Sequence, residues 1–173
     1  MADRIGFTTD DDGIIELWAE VFGDSEDDIR FFLQNCKNKS CLGYYKDGHL
    51  VSMLFLIDCE YCGKNGAYIY AVCTKKAFRN AGFSSALIEK AKSQNYDFLW
   101  LIPANDSLFG FYERFGFKTK LYSDGQYKNN VTFSESADIC SYLYEGSDYK
   151  FPKGMIYSDT DLPQGGTGFK IKE

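Results

Sequence analysis

Histidine, net positive charge and long apolar runs are what this sequence lacks. It has one histidine in 173 residues, and that residue, His49, follows the turn signal Asp47-Gly48 with nothing near it in sequence resembling a partner. It reads as a surface residue, so the chemistry has to be sought elsewhere. Nineteen Lys and Arg stand against 25 Asp and Glu, for a net charge of -6. That balance opposes nucleic-acid binding, which needs basic patches, and gives mild support to a cationic small substrate. No apolar run reaches transmembrane length, and the start MADRIGFTTDDDG is acidic, without the basic and then apolar pattern of a signal peptide. The expectation is a cytoplasmic protein with no membrane partner. Repeats, low-complexity tracts and linkers are also missing, and 45% apolar residues can fill a sizeable core. Residues 1–173 are therefore expected to form a single domain.

Six cysteines are present, and Cys36-x4-Cys41 with Cys59-x2-Cys62 approximates a zinc spacing. Pairing two strands about Asp47-Gly48 argues against zinc. It sets Cys59 opposite residue 36 and Cys41 opposite Leu54, which leaves Cys41 and Cys59 about 17 Å apart along the sheet at ~3.3 Å per residue. Free thiols, acting as small buried apolar residues or lying at the surface, and no metal are expected.

From the start, Arg4 to Phe7 is a short possible strand. Thr9 or Asp10 then caps a helix whose Ile14, Leu17, Trp18, Val21 and Phe22 form one apolar stripe. Ser25 caps a second helix, with Glu26, Asp27 and Asp28 at its positive end and Ile29, Phe32, Leu33 and Cys36 on its buried face. Ser40 to Tyr61 reads as two antiparallel strands, the second apolar on both faces and so central in its sheet. Gly63-Lys64-Asn65-Gly66 turns the chain into a strand at Ala67.

The stretch from Ala67 to Phe117 carries the densest pattern. Tyr68 to Thr74 and Asp97 to Ile102 are β-branched, aromatic and apolar on both faces, while Phe83, Ala86, Leu87 and Ala91 recur at helical spacing between them. This is a crossover unit, so the two strands should be parallel. Arg79-Asn80-Ala81-Gly82-Phe83-Ser84-Ser85 leads straight into the helix. A helix start exposes unpaired N–H groups and a positive dipole end; Gly82 permits close backbone approach, Arg79 adds charge, and Ser84 and Ser85 add hydroxyls. An ordinary helix entry with a Ser N-cap fits the same residues. Downstream, Leu108, Phe111, Tyr112 and Phe115 share one helical face, on which Tyr112 could be simply a core aromatic. Phe117 to Tyr122 and Met155 to Ser158 suggest strands, Asp124-Gly125 a turn, Ala137 to Tyr144 a short helix, and Pro163 to Gly168 a loop.

In order and spacing this segment resembles the acyl-CoA-binding core of the GNAT superfamily of N-acetyltransferases. The family pattern (Gln/Arg)-x-x-Gly-x-(Gly/Ala) appears as Arg79-x-x-Gly82-x-Ser84, with serine in the last place, directly after the strand Tyr70-Ala71-Val72-Cys73-Thr74. The family's second pattern appears as Asn105, Tyr112 and Gly116-Phe117. The resemblance is strong over the middle third of the chain, weak over the first third and nearly absent over the last fifty residues. It implies an α/β fold: a mixed sheet with an antiparallel meander, a parallel strand pair at the cofactor cleft, and helices on both faces. It also implies an acetyl-CoA donor, its pantetheine arm held by Val72, Cys73 and Thr74 and its pyrophosphate by Arg79, Asn80, Ala81, Gly82, Phe83, Ser84 and Ser85, with Asn105 joining the cofactor site.

By the same resemblance, Tyr112 protonates the departing thiolate and backbone donors near Val72 stabilise the oxyanion. The reaction would be transfer of acetyl from acetyl-CoA to a primary amine on a small molecule or peptide, with no metal. The general base stays open between a carboxylate of the first 60 residues, Tyr70 and ordered water. The oligomeric state is open too, a homodimer among the options. The rival readings are a CoA-binding sensor without turnover and a structural domain that keeps the fold without the cofactor.

Overall fold

The computed structural model describes residues 2–61, 63–119, 131–132, 154–160 and 169–171. These fall into two compact units, one of Met1–Ile57 with Ile69–Gln94, the other of Asp58–Tyr68 with Asn95–Glu173.

The first unit begins with β1 (Arg4–Thr8), antiparallel to β2 (Lys39–Lys46). Helices α1 (Asp11–Phe22) and α2 (Glu26–Asn35) lie between them in sequence. Asp10 is the α1 cap, its carboxylate accepting the Gly13 N–H at 3.0 Å, and Ser25 caps α2 by accepting the Asp28 N–H at 3.1 Å. The acidic residues behind both caps thus sit at the positive helix ends. The hairpin from β2 into β3 (His49–Tyr61) turns at Asp47 and Gly48, both left-handed (φ 49° and 81°), which matches the strand twist.

One correction concerns the register of that hairpin. Tyr45 pairs with Leu50 but Tyr44 pairs with Ser52, so Val51 is an extra residue and the register beyond it slips by one. Cys41 accordingly faces Phe55, not Leu54. The bulged Val51 turns its carbonyl to the Lys75 N–H at 2.8 Å.

Pleat alternation sends Cys41, Tyr45 and Phe55 to one face of the sheet and Tyr44 and Ser52 to the other. On the first face the Phe55 ring meets Trp18 of α1 (5.7 Å) and Phe32 of α2 (5.1 Å). On the second, Tyr44 meets Phe83 of α3 (Phe83–Lys92) at 4.5 Å. Helices thus cover both faces within this unit. The α1 stripe is narrower than expected. Ile14, Leu17 and Trp18 are buried, but Phe22, in the last turn, is 45% exposed, with only a ring edge against Trp18.

The strand β4 (Lys64–Thr74), of which residues 64–68 belong to the second unit and 69–74 to the first, begins three residues earlier than the glycine-bearing turn suggested, because only Gly63 takes a left-handed φ there (74°). Its first part runs parallel to β5 (Phe98–Leu101), pairing Gly66, Ala67 and Tyr68 with Phe98, Leu99 and Trp100. Tyr68 and Trp100, directly opposite, stack at 4.2 Å. The Asn65 N–H and carbonyl both bond Asp97, fixing the start of the pair. Helix α4 (Phe109–Glu113) follows a 3-10 turn. Beyond it, β6 (Lys118–Thr119) and β8 (Met155–Tyr157) extend the sheet antiparallel, and β7 (Val131–Thr132) pairs with β9 (Phe169–Ile171). The expected turn at Asp124-Gly125, helix at Ala137 to Tyr144 and loop at Pro163 to Gly168 lie outside the described residues.

Candidate active site

In the first unit the candidate site starts with a defect in a strand. β4 is buried at Ala67, Tyr68 and Ile69 but half-buried at Tyr70, Ala71 and Val72, and Ala71 is left-handed, with φ 53°. An L-residue with a side chain pays about 1–2 kcal/mol for that conformation, and such strain gathers where a strand must present backbone groups to something other than its neighbour. Nothing in the sequence marks Ala71, since alanine is not a turn former. Cys73, two residues on, is buried, and burial pushes its thiol well above the ordinary range.

After Thr74 the chain is tied down before it forms the loop. Lys75 Nζ reaches Glu16 of α1 at 2.6 Å, and the Lys76 N–H donates to Glu20 at 3.1 Å. The Lys75 ammonium draws the Glu16 carboxyl below the usual carboxylate range. A 3-10 turn over Lys76–Phe78 follows, and then the loop proper. Asn80 and Gly82 are both left-handed, with φ 62° and 82°.

Gly82, not a serine, is the N-cap of α3, and no side chain caps the helix. The first intrahelical bond there is Ala86 N–H to the Gly82 carbonyl at 3.0 Å. The N–H groups of Phe83, Ser84 and Ser85 are the orphans of this first turn and have no side-chain cap to satisfy them. The Phe83 ring is directed away from them, against Tyr44 and Phe78. Arg79 is exposed, its Nε 3.5 Å from the Thr74 carbonyl, which leaves its guanidinium end toward solvent. Three of the residues suggested by sequence, Cys73, Thr74 and Ser84, are linked with the help of Ser52: Thr74 Oγ1 lies 2.8 Å from both Ser84 Oγ and Ser52 Oγ, and Ser52 Oγ lies 2.9 Å from the Cys73 carbonyl. Ser52 was not legible as a site residue, because one serine in an apolar strand carries no signal.

Tyr112 and Asn105 lie in the second unit. Tyr112, on α4, is 7% exposed, its ring at 5.0 Å from Phe111 and 6.1 Å from Phe117. Burial pushes its phenol up to about 12, so it holds its proton throughout the neutral range. Asn105 is exposed and caps the turn before α4, its Oδ1 accepting the Ser107 N–H at 3.1 Å. Gly116 is left-handed (φ 88°), which explains a glycine immediately before the buried Phe117.

Comparison with known proteins decides the family. The sequence matches the acetyltransferase (GNAT) domain over residues 6–119, well over half the chain. The protein belongs to the GNAT acetyltransferases. A GNAT fold is also found in solved structures at probability 1.00. One is the GNAT-family N-acetyltransferase YhbS from Escherichia coli in complex with CoA, 13% identical, TM-score 0.64, with 99% of this chain aligned to 89% of that one. Another is a probable acetyltransferase from Staphylococcus epidermidis, 22% identical, TM-score 0.57, with 92% of this chain aligned to all of that one. A third is a GCN5-related glucosamine N-acetyltransferase region in a fungal multi-domain β-N-acetylglucosaminidase, 16% identical, TM-score 0.59. There the alignment takes in 69% of this GNAT chain and only 17% of the fungal one. Sequence comparison with curated proteins finds no match.

Among the described residues, no cluster of three or more His, Cys, Asp or Glu side chains is gathered in a way that could hold a metal ion, and no helix is long and apolar enough to cross a membrane. Cys36, Cys41, Cys59 and Cys73 are buried, and burial pushes the Cys41 thiol up to about 12.

Proposed function

We propose that this protein transfers an acetyl group from acetyl-CoA to a primary amine by direct attack. The observation that carries the reading is the uncapped start of α3, with Gly82 left-handed at its N-cap, a short turn and loop after a strand whose Ala71 is left-handed. Backbone N–H groups and the positive end of a helix dipole stabilise phosphate without any side-chain donor. In this reading Arg79 to Ser85 hold the pyrophosphate, and Val72, Cys73 and Thr74 lie along the pantetheine arm.

The amine nitrogen, having lost a proton to a base, attacks the thioester carbonyl carbon. Backbone donors near Val72 stabilise the oxyanion as it forms. The C–S bond breaks as the amide forms and its nitrogen gives up one further proton to solvent, while the CoA thiolate takes the proton of the Tyr112 phenol, which is then recovered from solvent. Burial keeps the Tyr112 phenol protonated, the state from which an acid must start. The acceptor class, a small molecule or a peptide, rests on the amine chemistry of the family and the net charge of -6.

The test is release of CoA thiol from acetyl-CoA across a panel of primary amines, polyamines, amino sugars and peptide N-termini. Thiol release that depends on one amine class supports the transfer reaction and names the acceptor. Tight CoA binding without thiol release for any amine would favour a CoA sensor instead.

A further inference from the structure

The hydroxyl groups behind the loop fix which way their hydrogens point. Ser52 is a fully buried polar side chain, 0% exposed, and it stands on the α3 face of β3 because it pairs with Tyr44. Its Oγ is 2.9 Å from the Cys73 carbonyl and 2.8 Å from Thr74 Oγ1, and Thr74 Oγ1 is 2.8 Å from Ser84 Oγ.

A hydroxyl has one hydrogen and two lone pairs, and a carbonyl can only accept. Ser52 therefore donates its hydrogen to the Cys73 carbonyl. It must then accept from Thr74, whose single hydrogen is committed in turn, so Thr74 accepts from Ser84. The direction of every bond in the chain follows from the carbonyl at its end.

We infer that Ser84 is a positioning residue: its hydroxyl donates inward through Thr74 and Ser52 to the Cys73 carbonyl, holding the first turn of α3 against the end of β4. Its oxygen then offers only lone pairs outward, so the hydroxyl is not a donor to phosphate; the Ser84 N–H is. This replaces the hydroxyl-donor role that the sequence suggested for Ser84, and it rests on the acetyl-CoA reading of the loop only for its functional consequence. The hydroxyl chain itself stands independently of any ligand.

The test is a double-mutant cycle on the full chain with Ser84→Ala and Thr74→Val, read by calorimetry with CoA and by thermal melting without ligand. If the chain positions the loop, each single variant weakens CoA binding by about threefold to tenfold, the range of one neutral hydrogen bond. The double variant is then no weaker than the worse single. The KM for acetyl-CoA rises by more than kcat falls, whereas a general loss of folded protein would leave KM in place. Thr74→Ser, which keeps the hydroxyl, should stay closer to the parent than Thr74→Val does. Effects on CoA affinity that multiply in the double variant, or a Thr74→Val protein that binds CoA like the parent while Ser84→Ala does not, would overturn the inference and make Ser84 a direct donor. If the parent binds no CoA, the acetyl-CoA reading has failed, and melting decides the hydroxyl chain alone. A double variant that melts no lower than the worse single supports the chain; shifts that add up refute it.

Discussion

Replacing Gly82 separates backbone strain from charge at the loop. The residue is left-handed (φ 82°, ψ 10°), yet a Cβ built on it would meet no heavy atom within 4 Å. Substitution therefore costs conformational energy rather than a collision. For alanine that is about 1–2 kcal/mol, which lowers the melting temperature by roughly 2–8 °C in a chain of this size. Asparagine, which tolerates this conformation, should cost less. Gly82→Gln and Gly82→Glu carry equal strain and nearly equal bulk, and they differ by one negative charge. A carboxylate about 4 Å from a phosphate charge is repelled by about 1 kcal/mol in water and about 4 kcal/mol near a protein surface. Gly82→Glu should therefore bind acetyl-CoA about fivefold to several hundredfold more weakly than Gly82→Gln, although the two melt alike without ligand. Calorimetric titration at fixed ionic strength reads the difference, and raised salt should shrink it. Equal affinity in the two variants would mean that no anion sits against this turn, and the assignment of the pyrophosphate to Arg79 to Ser85 would be wrong.

Tyr112→Phe keeps the ring and its burial, so acetyl-CoA affinity should change little, while kcat with the true acceptor falls about 10² to 10⁴ where chemistry limits the rate; full turnover would return Tyr112 to a packing role. The same variant has a pH signature. The folded phenol keeps its proton to about 12 against 10 for an unperturbed tyrosine, so the parent should lose roughly 2–3 kcal/mol of stability as pH rises through that window, a loss that Tyr112→Phe escapes. Denaturation midpoints at pH 9 and pH 11 check this, and parallel pH curves for the two proteins would contradict it. Thiol titration of denatured protein without reductant should count all six cysteines, and in the native state the buried Cys36, Cys41, Cys59 and Cys73 should react slowly; a missing pair would indicate a disulfide or a bound metal. Acetyl-CoA at 100 times its dissociation constant should stabilise the fold by about 2.7 kcal/mol, visible as a raised melting temperature, and an unshifted melt would argue against binding.

The parts of the fold legible in the sequence are those where local chemistry and tertiary packing agree. Asp10 and Ser25 act as caps because each carries a short side-chain oxygen that reaches an orphan N–H group of the first turn. The apolar Leu50 to Ile57 run could only be a strand covered on both sides, and all eight residues are buried. Asp47-Gly48 gave away its turn through two left-handed residues. The bulge at Val51 was not legible, because the slip of register is set by packing across strands rather than by any residue of the hairpin. Ala71 was missed for a related reason: its strain is imposed on an ordinary residue by its surroundings. At the candidate site, Gly82 could be read as the loop's pivot, but the N-cap role went to it and not to serine. The hydroxyl of Ser84 instead has Thr74 as its partner, and Ser52, at the other end of that chain, stood among apolar neighbours with no pattern to expose it.

The most direct measurement is a two-dimensional amide NMR titration of the full chain with acetyl-CoA. The account predicts saturable shifts concentrated on the N–H groups of Gly82, Phe83, Ser84 and Ser85 and on Val72 to Thr74, with desulfo-CoA reproducing the loop shifts. Absence of saturable shifts at millimolar acetyl-CoA, or shifts confined to other parts of the chain, would contradict it.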